Sequence, residues 1–272
     1  MQPLSAWPLA KRRNLIGVFT DIDDTLTTHG AITPDALQAL AELKAAGLHV
    51  IAITGRPIGW CQPFARGDAV GQAPPWPVDA IVAENGAVAY AWSQPHQLAK
   101  IYQQPAAARA LNFARMQQIA AEVLRRVPGA VLSQDSPGRE TDIAIDHSEF
   151  TQLPPDKIAQ VVALMQSAGM HATVSSIHIN GWFGDHNKLE GARWIVRALF
   201  GRRLDDEIDQ WAYVGDSAND QIMFQHIKNS VGVANIRRFA AELSHPPCFV
   251  SPSERGAGFA EVTQAILQAR SA

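Results

Sequence analysis

Residues 18–30 read VFTDIDDTLTTHG, which sets three carboxylates, Asp21, Asp23 and Asp24, within four residues at the end of an apolar run that begins at Leu15. Acidic residues are depleted in and beside buried strands. Their concentration here marks one strand end as a place where charge has a purpose. Working outward, other apolar runs fall at 49–54, 80–85, 211–216, 230–234 and 248–251, and each reads as a short buried strand. Helical patterns alternate with them. TPDALQALAELKAAG starts with Thr33 as N-cap and Pro34 at the first helical position and stops at Gly47; further helices are expected at 188–200, 218–228 and 257–269. Such alternation predicts an α/β fold, a Rossmann-like, doubly wound parallel sheet covered on both faces.

The middle of the chain has a different rhythm. The hairpin-like AVAYAW is followed by a long helical pattern, the strand ETDIAID, a second helix and a strand HATVSSIHIN. Turn-forming joints flank this unit, ENGA before it and NGWFGDHN after it. The expectation is a split core, 1–86 and 183–272, with an α+β domain inserted at 87–182. GQAPPWP at 71–77 reads as a rigid loop.

Composition narrows the classes. Hydrophobic residues make up 47% of the 272 and charged ones 18%, as in a globular protein with a sizeable core. Twenty-six acidic against 23 basic side chains leave a net charge of −3. The longest basic run is KRR at 11–13, read as a solvated tail, so no nucleic-acid partner is expected. No stretch approaches the ~18 apolar residues of a membrane span, and no membrane partner is expected. Cys61 and Cys248 form no CxxC pair and read as free thiols, which favours a cytoplasmic location.

Ligands of open parallel sheets gather beyond the carboxyl ends of the strands. Here one strand ends in Asp21-Ile22-Asp23, a second in Thr54-Gly55-Arg56, and a later one in Gly215-Asp216 followed by Ser217-Ala218-Asn219-Asp220. Each alone could be a turn or a helix cap. Together they converge carboxylates on one edge, and a hard divalent ion with oxygen ligands, Mg²⁺, is the simplest way to offset their repulsion.

DIDDTLT, ITGRP, the lysine of HNKLEGA and VGDSAND resemble, in order, the four motifs of the haloacid dehalogenase superfamily. An insertion between the second and third motifs is similar to the large α/β cap of Cof-type hydrolases, sucrose-phosphate phosphatases and mannosyl-phosphoglycerate phosphatases. The resemblance implies a phosphatase acting on a small phosphorylated substrate, a sugar phosphate, through an aspartyl-phosphate. It makes Asp21 the nucleophile and Asp23 the acid and base. Mg²⁺ would sit between Asp21, the main-chain carbonyl of Asp23 and Asp216, with Asp220 and Asn219 supporting the site from behind. Thr54 and Lys188 would bind the phosphoryl oxygens. Arg56 is expected either to reach substrate or to pair with an acid, and Arg139, His178 and Asn180 are the cap residues expected to contact the leaving group. Two positions depart from the pattern: Asp24 stands where relatives have glycine and is expected to face solvent, and Leu189 replaces a common glycine. A phosphomannomutase-like phosphomutase using the same pair of aspartates, and a phosphate-binding scaffold without catalysis, are the alternatives.

Overall fold

The structure is a computed structural model that describes residues 1–67, 74–94 and 97–271, so residues 71–73 of the 71–77 loop lie outside it. The described residues form a nine-stranded sheet in the order Gln2–Pro3, Phe249–Val250, Asn229–Gly232, Trp211–Gly215, Gly17–Thr20, His49–Ile53, Ala80–Ala83, Val88–Gln94, Gln97–Tyr102. The first seven run parallel and the last two close as an antiparallel hairpin. The central strands are buried on both faces, which explains their unbroken apolar runs. Leu40 and Leu43 of Pro34–Ala45 pack with Phe259 and Ile266 of Arg255–Ser271 against one face. Leu189, Ile195 and Val196 of Lys188–Phe200 cover the other with Met223 and Phe224. Thr20 pairs with both Val214 and Ala52, so the next residues of the three strands leave the sheet side by side.

The inserted unit has its own antiparallel sheet, ordered His171–Val174, His178–Trp182, Ile143–Asp146, Val131–Leu132. Helices Ala106–Arg126 and Pro155–Ser167 pack on it through Met116, Val123, Val161 and Met165. We call this unit the cap.

Three expectations need correction, and one helix goes unforeseen. The hairpin thought to open the insertion at 87 pairs with Ala80–Ala83 and extends the large sheet, so the cap's own elements run from Ala106 to Trp182. Alternation in AVAYAW signals a strand but not which sheet edge it joins. HATVSSIHIN is two strands, because Ser175 turns the chain: its N–H donates to the His178 carbonyl at 2.8 Å and its Oγ accepts from the His178 N–H at 3.0 Å. The KRR segment is no free tail. Arg12 and Arg13 donate to the carbonyls of Ala265 and Ala269, satisfying the end of the last helix, while Trp7 is buried beside them. Ile58–Arg66 is a helix not foreseen, since Pro63 inside it reads as a breaker. Thr33 does stand at an N-cap, although its side chain makes no capping bond. Among the described residues no helix is long and apolar enough to cross a membrane, and both cysteines are free.

Candidate active site

Asp21 leaves its strand with its N–H bonded to the Val214 carbonyl at 2.9 Å, which places its carboxylate between the neighbouring strand ends. Lys188 is the first residue of its helix, where a cation opposes the helix dipole. Two carboxylates hold it there: Nζ lies 2.6 Å from Asp21 Oδ1 and 2.7 Å from Asp220 Oδ1. Asn187 caps the helix, accepting from the N–H groups of Leu189 and Glu190. The start of this helix sits backbone to backbone on the turn after Ala80–Ala83. Gly86 has φ +114°, and a Cβ on Gly191 would come within 2.6 Å of the Gly86 Cα.

Asp220 is saturated. Its Oδ1 accepts from Lys188 and the Tyr213 hydroxyl, its Oδ2 from the N–H groups of Asp216 and Ser217. Asp216 has fewer donors, Asn235 Nδ2 at 3.1 Å and the Thr25 hydroxyl at 3.5 Å. Ligand atoms of Asp21, Asp216 and Asp220 lie within 4.8 Å of one another, all buried. Burial pushes the Asp21 carboxyl up to about 7 against the pull of Lys188, with Asp220 and Asp23 adding to the rise. Burial also raises Asp216 well above the carboxylate range, with Asp21 and Asp220 adding. Negative charge here exceeds what one lysine offsets, and the donor set is all oxygen. Asp21 and Asp216 therefore fit a hard divalent cation, while Asp220 is engaged in holding Lys188. Asn219 accepts from the Ser217 hydroxyl at 2.7 Å. Thr54 Oγ1 accepts from the Arg56 N–H at 3.0 Å. Both line a narrow cavity of about 10 Å³ with Asp21 and Asp23, room for about one water.

Asp23 lines the same cavity but lies outside the three-carboxylate group. Arg56 binds it through Nε at 3.0 Å and Nη2 at 2.9 Å and continues to two cap acids, Glu149 at 2.7 Å and Asp135 at 3.2 Å. Arg56 thus pairs with acids. Asp24 is half-buried with Oδ1 3.0 Å from Arg255 Nε, not simply solvated. Its φ of +54° explains why glycine suits this position and why Asp is tolerated.

Of the cap residues expected to meet a leaving group, Arg139 is bound into the seam between core and cap, whereas His178 and Asn180 line the narrow cavity with Asp21, Asp23 and Thr54. Arg139 Nη1 donates to both oxygens of Asp142 at 2.8 Å and to the Gly55 carbonyl at 3.0 Å. Asn180 Nδ2 donates to the same carbonyl at 3.3 Å and to Asp142 at 3.0 Å. His178 lies 2.8 Å from Glu149 and faces the narrow cavity. Sequence reasoning missed the cap partners Asp135, Asp142 and Glu149, and also Glu84, a fully buried core residue. Glu84 accepts from the N–H of Ile58 and from the N–H groups of Glu140 and Thr141, and so staples the cap to the core. An acid ending the apolar run AIVAEN was the one signal available.

A family model described as haloacid dehalogenase-like hydrolase matches residues 18–124, which include Asp21, Asp23 and Thr54 but neither Lys188 nor Asp216. No curated protein matches in sequence. Solved structures share the fold at low identity. A Thermoplasma acidophilum protein superposes with a TM-score of 0.71 at 16% identity over 93% of this chain and 99% of its own. A HAD/Cof-like hydrolase from Plasmodium vivax gives 0.69 at 16% over 96% and 99%. The sucrose-phosphatase from Synechocystis sp., solved with sucrose and phosphate, gives 0.64 at 17% over 93% and 98%. The resemblance carried by the motifs is borne out by that family match over residues 18–124, and the chain shares over more than nine-tenths of its length the capped α/β fold of these haloacid dehalogenase-like structures.

Proposed function

We propose that the protein is a Mg²⁺-dependent phosphatase that hydrolyses a small phosphomonoester, a sugar phosphate, through an aspartyl-phosphate on Asp21. The observation that carries this reading is the meeting of Asp21, Lys188, Asp216 and Asp220 at one sheet edge, with Asp23 two residues from Asp21. A carboxylate oxygen of Asp21 attacks phosphorus in line and the ester P–O bond breaks. Asp23 gives its proton to the departing alkoxide. Water then attacks phosphorus, Asp23 takes back a proton, and the Asp21–phosphorus bond breaks to release phosphate. Lys188 and the Thr54 hydroxyl bind the phosphoryl oxygens and stabilise charge in the transition state. Mg²⁺ held by Asp21 and Asp216 would offset repulsion between these carboxylates and the phosphoryl group. The sucrose-phosphatase among the structural relatives supports a sugar leaving group.

The test is phosphate release from sugar, nucleotide and glycerate monoesters, with Mg²⁺ or with EDTA and without any bisphosphate activator. Mg²⁺-dependent release favouring sugar esters is expected. No release from any ester would sink the phosphatase; a need for activator would turn the reading to a phosphomutase; a strong nucleotide preference would sink the sugar.

A further inference from the structure

In the strand Trp211–Gly215, side chains alternate between the two faces of the sheet. Trp211 and Tyr213 join the cluster under Lys188–Phe200, while Ala212 and Val214 join the opposite one. Gly215 is next on the face of Tyr213 and leaves a gap there. A Cβ on it would come within 2.6 Å of Asp220 Oδ2 and 2.9 Å of Tyr213 Cε1. The Asp220 carboxylate folds back into this gap, and the Tyr213 hydroxyl closes it by donating to Oδ1. Lys188 Nζ donates to that same oxygen at 2.7 Å, so phenol and ammonium share one acceptor.

Packing does not account for the phenol oxygen. Tyr213 is fully buried among Leu189, Ile195, Met223 and Phe224, with the Phe224 ring edge-on at 5.6 Å. Phenylalanine would fill this space as well. Burying a hydroxyl costs free energy unless it is hydrogen-bonded, so the reason for this one lies in its partner.

That partner has a use for it. Asp220 is fully buried, and its Oδ2 is taken by the N–H groups of Asp216 and Ser217. With the hydroxyl, Oδ1 also has two donors, and the carboxylate is held in one orientation. Without it, Oδ1 would keep Lys188 alone. The ammonium, whose other partner Asp21 Oδ1 stands at 2.6 Å, would then be free to shift between the two acids. A second donor on Oδ1 fixes the direction from which Lys188 meets Asp220, and that direction leads to Asp21.

Resting on the phosphatase reading, we infer that Tyr213 is a positioning residue: its hydroxyl orients Asp220 and, through Asp220, aims Lys188 at phosphoryl oxygens over Asp21. The phenol touches neither the ester nor its leaving group.

Tyr213→Phe tests this in the full chain, since it removes one oxygen and keeps the ring; melting temperature checks the fold. The readout is kcat/KM for p-nitrophenyl phosphate, a hexose monophosphate and glycerol phosphate, in the wild-type background and again in Lys188→Met. In the first, every ester should lose about 5- to 20-fold by a common factor, because all share the phosphoryl group and not the alcohol. In the second, where no ammonium remains to aim, the same substitution should change rates by less than about twofold. Should Lys188→Met not fold, Asp220→Ala takes its place, since no carboxylate then links phenol to ammonium. Equal losses in both backgrounds would mean that the phenol only supports packing, and they overturn the inference. A loss confined to one ester, or no loss in the wild-type background, overturns it too, while leaving the phosphatase reading intact. If the wild-type protein turns over no ester, that reading fails, and affinity for inorganic phosphate, by calorimetry in EDTA and in Mg²⁺, is read in the same two backgrounds. Binding weakened by Tyr213→Phe in the wild-type background alone then sustains the positioning role. Any other pattern, or no phosphate binding at all, removes it.

Discussion

Asp21 and Asp216 on the sheet edge, and Asp135 and Glu149 on the facing cap, are all carboxylates withdrawn from water, yet their surroundings drive them in opposite directions. Burial raises the first two, and a single lysine among three aspartates does not reverse it. Burial also opposes ionisation of the second two, but there it loses. The charge of Arg139 and the Ser133 hydroxyl hold Asp135 below the ordinary carboxylate range, and His178 and Arg56 do the same for Glu149. Both regions bury acids, but only Asp135 and Glu149 have donors enough to outweigh burial; Glu84 and Asp142, deeper in the same core–cap seam, stay raised. What sets the sheet edge apart is that three carboxylates converge there within 4.8 Å of one another, a charge that an added cation would offset, whereas the seam acids are met by arginines and backbone N–H groups.

The sharpest way to break this comparison is Asp21→Asn. Turnover should fall by about 10⁴-fold or more, with melting behaviour retained or improved because a raised carboxyl has been neutralised. Residual activity near wild type would undo the assignment. Lys188→Met comes next. A rate loss of about 100- to 1,000-fold is expected, and a stability loss of about 3–5 kcal/mol that added Mg²⁺ partly recovers. Urea titrations with and without metal read both.

Arg139→Met should invert the pattern: a similar loss of stability with a much smaller loss in rate, since it strips donors from Asp142 and the Gly55 carbonyl rather than from the reacting group. Acidity offers a milder probe. Asp21 rises from 3.8 and Glu84 from 4.5, each to about 7. Both therefore bind protons more tightly in the folded state, and their contribution to stability, complete below pH ~4, is lost as pH rises through about 7. Asp135 and Glu149, held low, titrate beneath that window. In EDTA the urea midpoint should fall between pH 5 and pH 8. Mg²⁺ at a hundred times its Kd should restore about 2.7 kcal/mol at pH 8. The smallest effect belongs to Arg126→Ala, whose pair with Glu122 is exposed; a change under about 0.5 kcal/mol would confirm that burial sets the scale elsewhere.

The same contrast explains what the sequence made legible. Asp21, Thr54, Lys188 and Asp216 all sit where an apolar run or a helix boundary ends, so period and punctuation point to them. Asp135, Asp142 and Glu149 lie in cap loops or at a strand's margin with no period, and their partners are 79 and 93 residues away for Arg56. Nothing local distinguishes them from solvated acids. Arg139 and Asn180 are both polar residues on or beside cap strands, and that polarity alone does not say that Arg139 is spent on Asp142 and the Gly55 carbonyl while Asn180 also borders the cavity of Asp21. The hairpin at Val88–Gln94 failed for a related reason: alternation reveals a half-buried strand and is silent on its neighbour.

Gly86 and Gly191 have no functional group to lend, yet their bare backbones form the fulcrum on which the lysine-bearing helix rests. A methyl group added at either position must lift that helix, and the ammonium of Lys188, the residue next to Gly86's contact at Asn187, would swing out of reach of partners it meets at 2.6 and 2.7 Å. Loss of function in this chain can therefore originate at positions that a survey of reactive side chains would pass over, through leverage rather than chemistry.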